Sequence, residues 1–83
     1  MASSRGLKPF RRVRKRLKEL GIIWNPTSGK GSHGSFVGRN QKTGTLNAFP
    51  LPRSQQREIN ADYLSAIRRR FGLTGKEWND FFD

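Results

Sequence analysis

Hydrophobic positions follow a helical period at both ends of the chain and a strand-like pattern between. Phe10, Val13, Leu17 and Leu20 recur every three or four residues, with Arg11, Arg12, Arg14, Lys15, Arg16 and Lys18 on the remaining faces. That spacing predicts an amphipathic helix. Pro9 suits its first turn, where a missing N–H costs nothing, and Gly21 supplies a permissive stop. Ile22 to Trp24 is a short β-prone run cut off by Asn25 and Pro26. Strand propensity resumes at Ser35, Phe36 and Val37, "GRNQKTG" carries hairpin-turn signals, and Thr45 to Phe49 forms a third strand ended by "PLP". After the polar link "RSQQRE", Ile59, Tyr63, Ala66, Ile67 and Phe71 mark a second helix. Arg68, Arg69 and Arg70 fall in its last turn, and Gly72 stops it. Thr74 and Glu77 have the spacing of a capping box, which predicts a short terminal helix with Trp78, Phe81 and Phe82 on one face.

The expected order is helix, three strands, helix, short helix. This is an α+β domain in which three antiparallel strands carry both long helices on one face. Residues 1–8 form a basic disordered lead, 9–73 the domain and 74–83 the terminal helix. Phe36 is the inward residue of the middle strand. His33, three positions earlier and of opposite parity, is expected at the strand entrance, facing outward.

Composition narrows the function. The 83 residues hold 17 Lys and Arg against 6 Asp and Glu, a formal charge of +11, which favours polyanions and nucleic acid above all. A chain this short hides only about 60% of its unfolded surface, so its core is thin. There are no cysteines and one histidine, and the six acids are scattered. Disulfides, thiol nucleophiles and thiolate metal sites are excluded, and the expectation is a reduced, cytoplasmic protein without metal or cofactor. No apolar run approaches the roughly 20 residues that span a bilayer, and no secretory core is present. The Ser- and Arg-rich start resembles a transit peptide in composition, but its removal would strip off the first helix.

Two stretches invite chemistry. Seven residues between Lys8 and Lys18 are basic, and only Glu19 follows to balance them. The helix either tracks phosphates, is a solvated face, or meets an acidic protein partner. "SGKGSHG" fails as a Walker loop, because Trp24 stands where its first glycine belongs and Gly31 follows Lys30. It leaves a looser nest of backbone N–H groups and Lys30 for one phosphodiester. His33 is the side chain best matched to proton transfer near neutral pH, but a solitary histidine is also an ordinary loop residue. Ser32 and Ser35 are nearby hydroxyls, and no carboxylate completes a hydrolase triad.

A helix ending in glycine, "GSHGSF" opening the second strand, "FP" (Phe49 and Pro50) closing the third, and a helix after a polar link together resemble the HicA family of toxin mRNA interferases. The likeness covers about residues 10 to 73 and rests on Gly31-Ser32-His33 with Phe36 following. It implies a double-stranded-RNA-binding-domain-like α-β-β-β-α fold, with Gly31 and Ser32 in the turn and His33 as the catalytic histidine. It also implies inhibition by a HicB-type antitoxin covering the active face, so that the chain is a monomer when free and a hetero-oligomer when inhibited. The resulting expectation is metal-free cleavage of mRNA with His33 as general acid or base. Lys30, Gly31, Ser32, Ser35, Arg39 and Arg53 are the expected RNA contacts, and the glycines let backbone and phosphate approach closely. Two other readings stay open: a non-catalytic RNA-binding module of the same fold, and a protein-binding scaffold for an acidic partner.

Overall fold

The computed structural model describes residues 7–26 and 34–74. In chain order they form β1 (Lys8–Pro9), α1 (Phe10–Glu19), β2 (Ile23–Asn25), β3 (Gly34–Arg39), β4 (Leu46–Leu51), a 3-10 turn (Arg53–Gln55), β5 (Glu58–Ile59) and α2 (Ala61–Phe71). Strands β2, β3 and β4 make an antiparallel sheet with β3 in the middle, and β1 pairs with β5 in a separate two-stranded ribbon. The domain is α+β, with an antiparallel three-stranded sheet and two helices, as its periodicity predicts. Lys8, which the sequence placed in a disordered lead, instead pairs with Ile59 in β1, and residues 1–6 of that lead lie outside the described residues.

Period-2 alternation builds the sheet. Trp24, Phe36 and Phe49 stand in register on the inner face, flanked by Leu51 opposite Gly34. These side chains meet Val13 and Leu17 of α1 and Leu64, Ile67 and Phe71 of α2 in one buried cluster that also takes in Ile22, Ile59 and Leu73. Ile23, Val37, Ala48, Arg39 and Leu46 occupy the other face, where Ile23 is 54% and Leu46 60% exposed.

Several boundaries differ from the sequence-based expectation: β2 runs Ile23–Asn25 rather than Ile22 to Trp24, and β4 starts at Leu46 rather than Thr45. Ile59 belongs to β5 rather than to the second helix, because Asn60 interrupts: its side chain accepts from the Tyr63 N–H at 3.0 Å and caps α2. Pro50 lies inside β4 instead of ending it, which an edge strand tolerates because one side of its backbone needs no partner. Pro9 is the N-cap of α1, one position before the helix, and its own N–H is not missed there. Gly21 and Gly72 have positive φ, +84° and +63°, and end the two helices as expected. The terminal helix over 74–83 lies outside the described residues, apart from exposed Thr74.

Candidate nucleic-acid interface

His33, Lys30, Gly31 and Ser32 lie outside the described residues. What the structure fixes is the strand they lead into. Gly34 begins β3 on the inner face, opposite Leu51, and a Cβ there would sit 2.7 Å from Trp24 Cη2 and 2.9 Å from Cε2. The glycine is therefore required by the Trp24 ring.

The remaining expected contacts separate. Arg53 follows Leu51 by two residues, so the Gly34–Leu51 pair brings it to the end of the sheet from which the motif emerges, and it is exposed. Arg39 stands at the far end of β3. Five residue steps at about 3.3 Å each put it about 17 Å from Gly34. Its guanidinium donates to the Gly44 carbonyl at 3.0 Å, which ties it to the β3–β4 hairpin. Ser35, expected at the RNA surface, is instead only 5% exposed, between Asn25 and Pro50 in the sheet.

A second basic group involves Arg11, which the sequence offers only as one cation of the first helix, and Arg57, which sequence reasoning did not single out. Arg11, in the first turn of α1, and Arg57, just before β5, line one cleft with Pro9, Phe10, Gln56 and Glu58. The backbone builds this cleft: Phe10 N–H donates to the Arg57 carbonyl at 2.8 Å, and Lys8 and Pro9 pair with Ile59 and Glu58. Gln56 fixes the same corner by donating to the Leu51 carbonyl at 2.9 Å. Phe10 is the aromatic residue of the cleft lining. Phe10 packs edge-on to Trp24 with centroids 4.9 Å apart and lies 5.9 Å from Phe36, and Trp24 meets Phe36 at 4.9 Å. Farther along α1, Arg14 and Lys18 border a second hollow with Ile23 and Trp24.

No family model matches the chain, and no curated protein or solved structure does. The site is therefore read from its own residues.

Their electrostatics are one-sided. The carboxylates among the described residues are Glu19, Glu58 and Asp62. Glu19 is held by Arg16 at 2.8 Å, and Asp62 sits in the first turn of α2, where its charge suits the helix dipole. Glu58 alone faces the cleft. α1 has neither a side-chain cap nor an acidic residue in its first turn, so Arg11 and Arg12 stand where a helix ordinarily prefers negative charge. A second basic surface lies at the opposite pole, where Lys42 and Arg69 border a hollow with Asn40 and Thr43. Its neighbour Arg70 is structural: it donates to the Ala48 carbonyl at 2.9 Å and lies over the Phe49 ring. Among the described residues no three His, Cys, Asp or Glu gather as a metal site, and no helix is long and apolar enough to cross a membrane.

Proposed function

We infer that this chain is an endoribonuclease of the HicA toxin kind, a double-stranded-RNA-binding-domain-like protein that cleaves mRNA without metal and is restrained by a HicB-type antitoxin in the cytoplasm. The observation that carries this reading is the position of Gly31-Ser32-His33. The motif runs directly into the central strand of a sheet whose same end delivers Arg53 and adjoins the Arg11–Arg57 cleft. In the reaction, a ribose 2′-oxygen forms a bond to the adjacent phosphorus while the bond from phosphorus to the 5′-oxygen breaks. The 2′-hydroxyl proton goes to a base, and the departing 5′-oxygen receives one. His33 serves one of these transfers at a time. Lys30 and Arg53 steady the charge that builds on the phosphate oxygens.

One well-placed imidazole contributes about a hundredfold to ten-thousandfold. The His33→Ala variant should therefore lose cleavage by that factor in excess chelator while keeping its fold and RNA affinity. Cleavage at the wild-type rate by that variant ends the catalytic reading. A non-catalytic RNA-binding module is the second reading, favoured by the fact that the basic cleft among the described residues serves binding whether or not a bond is cut. Growth arrest on expression, relieved by the neighbouring gene and absent in His33→Ala, supports the toxin over the binding module.

A further inference from the structure

We propose that the cleft between α1 and the β1–β5 ribbon is a binding site for one nucleotide unit of single-stranded RNA, with the base on Phe10 and its phosphate between Arg11 and Arg57. The proposal rests on the RNA reading above and adds where, and in what form, the strand is held. Three elements contribute: Phe10 and Arg11 from α1, Arg57 from the link after the 3-10 turn, and Glu58 from β5. The cleft encloses about 870 Å³, within the range of roughly 300–1,000 Å³ typical of small-ligand sites. Phe10 is half-buried. Trp24 and Phe36 pack against its ring and hold it still, while the remainder borders the cleft. A fixed, partly open aromatic ring is a stacking platform that accepts any base, and flanking cations track the backbone.

The charge balance supports a phosphate. Arg11 and Arg57 are both exposed and have no hydrogen bond or ion pair from their side chains to other described residues, unlike Arg39, Arg68 and Arg70. Glu58 opposes them but leaves the cleft net positive. From Arg11 the same flank of α1 continues through Arg14 to Lys18 at i+3 and i+7, so a strand leaving the cleft meets further cations beside Trp24. A duplex keeps its bases stacked inside and has none to place on Phe10, so the cleft selects single strands.

The test uses fluorescence anisotropy of a short labelled single-stranded RNA with the full chain carrying His33→Ala, so that the probe stays intact. For single strands the slope of log K against log salt changes by about 0.7 per phosphate contact, so losing two cations lowers it by at most about 1.4. Arg11→Gln/Arg57→Gln should approach that limit, and the control Lys42→Gln/Arg69→Gln at the opposite pole should lower it by less than half as much. Glu58→Gln should tighten binding. Phe10→Leu, which keeps an apolar side chain against Trp24, should weaken binding about fivefold or more if it melts as a folded domain. Equal effects from the two double variants, tighter binding to a duplex of the same sequence, or unchanged affinity in folded Phe10→Leu overturns the proposal. Absence of RNA binding by the His33→Ala chain at low salt instead brings down the RNA reading itself, and the proposal with it.

Discussion

Gly34→Ala measures what the glycine after the histidine is for. A Cβ at position 34 comes within 2.7 Å of Trp24 Cη2, whereas carbon atoms settle at about 3.5–4.0 Å. The indole must therefore retreat by about 1 Å. It is a rigid ring held edge-on by Phe10 and by Phe36, each at 4.9 Å, and Phe36 is fully buried. Overpacking a core of this kind costs about 1–3 kcal/mol, and loosening an aromatic pair costs about 0.5–1.5 kcal/mol more. The sum is about 1.5–4.5 kcal/mol, a large share of the total of a small domain, which is of order 5–10 kcal/mol. At about 4–8 °C per kcal/mol, the midpoint of a far-ultraviolet circular dichroism melt should fall by about 6–36 °C. The same substitution in a Trp24→Leu background should cost under about 1 kcal/mol, because the smaller side chain leaves room for the methyl group. A melt of Gly34→Ala within 3 °C of the parent, or an equal loss in both backgrounds, refutes this packing explanation. If affinity for RNA falls while the melt is unchanged, the glycine serves the ligand instead.

Other positions test the frame around the site. Gly72→Ala forces a left-handed residue at φ +63° to carry a Cβ, 2.8 Å from Asn40 Cγ. The left-handed conformation costs about 1–2 kcal/mol. Displacing Asn40 also breaks the turn it organises, where its Oδ1 accepts from Lys42 and Thr43 N–H groups at 2.8 and 3.0 Å; the melting midpoint should drop by about 8 °C or more. Asn60→Ala removes the α2 cap and should cost about 1 kcal/mol, which urea denaturation resolves as a lower midpoint at constant slope. Asn60→Asp should retain most of that stability, and a neutral Asn60→Ala would mean that the cap contributes nothing.

The long elements were legible because each repeats its period. Four apolar positions announce α1, five announce α2 with Ile59 wrongly included, and the hairpin between β3 and β4 is marked by its turn residues. The β1–β5 ribbon was not legible, because two-residue strands have no period and their partners are far apart in the chain. Ile59 fell at helical spacing from Tyr63, and only the capping geometry of Asn60 shows that the helix begins after it. For the interface, Arg53 could be anticipated from its place just past the third strand. Arg57 and Arg11 could not be grouped, since the β1–β5 pairing and the Phe10–Arg57 backbone hydrogen bond bring their segments together. Ser35, an expected contact, is 5% exposed, and its place in the sequence does not show how the face that carries it is covered.

The inner face of β3 reads Gly34, Phe36, Gly38, and this alternation links the thin core to the site. A Cβ on Gly38 would approach Ile22 Cα to 2.7 Å, as one on Gly34 would meet Trp24. The two large residues leading into and along β2 therefore lie across the glycines of β3, and Phe36 fills the space between them. A core with few large side chains gains density this way, and β3 becomes the most tightly clasped strand of the sheet. Its first residue follows the histidine. Under the proposed reading, proton transfer by His33 depends on position to about 1 Å, and the strand that follows the histidine is fixed by Trp24. The cations follow the same division. Arg39, at the far end of β3, secures the hairpin, while Arg11 and Arg57 line one cleft and Arg53 lies just past β4, whose Leu51 pairs with the first residue of β3. The strand that Trp24 clasps thus begins at the end of the sheet where Arg53 follows β4.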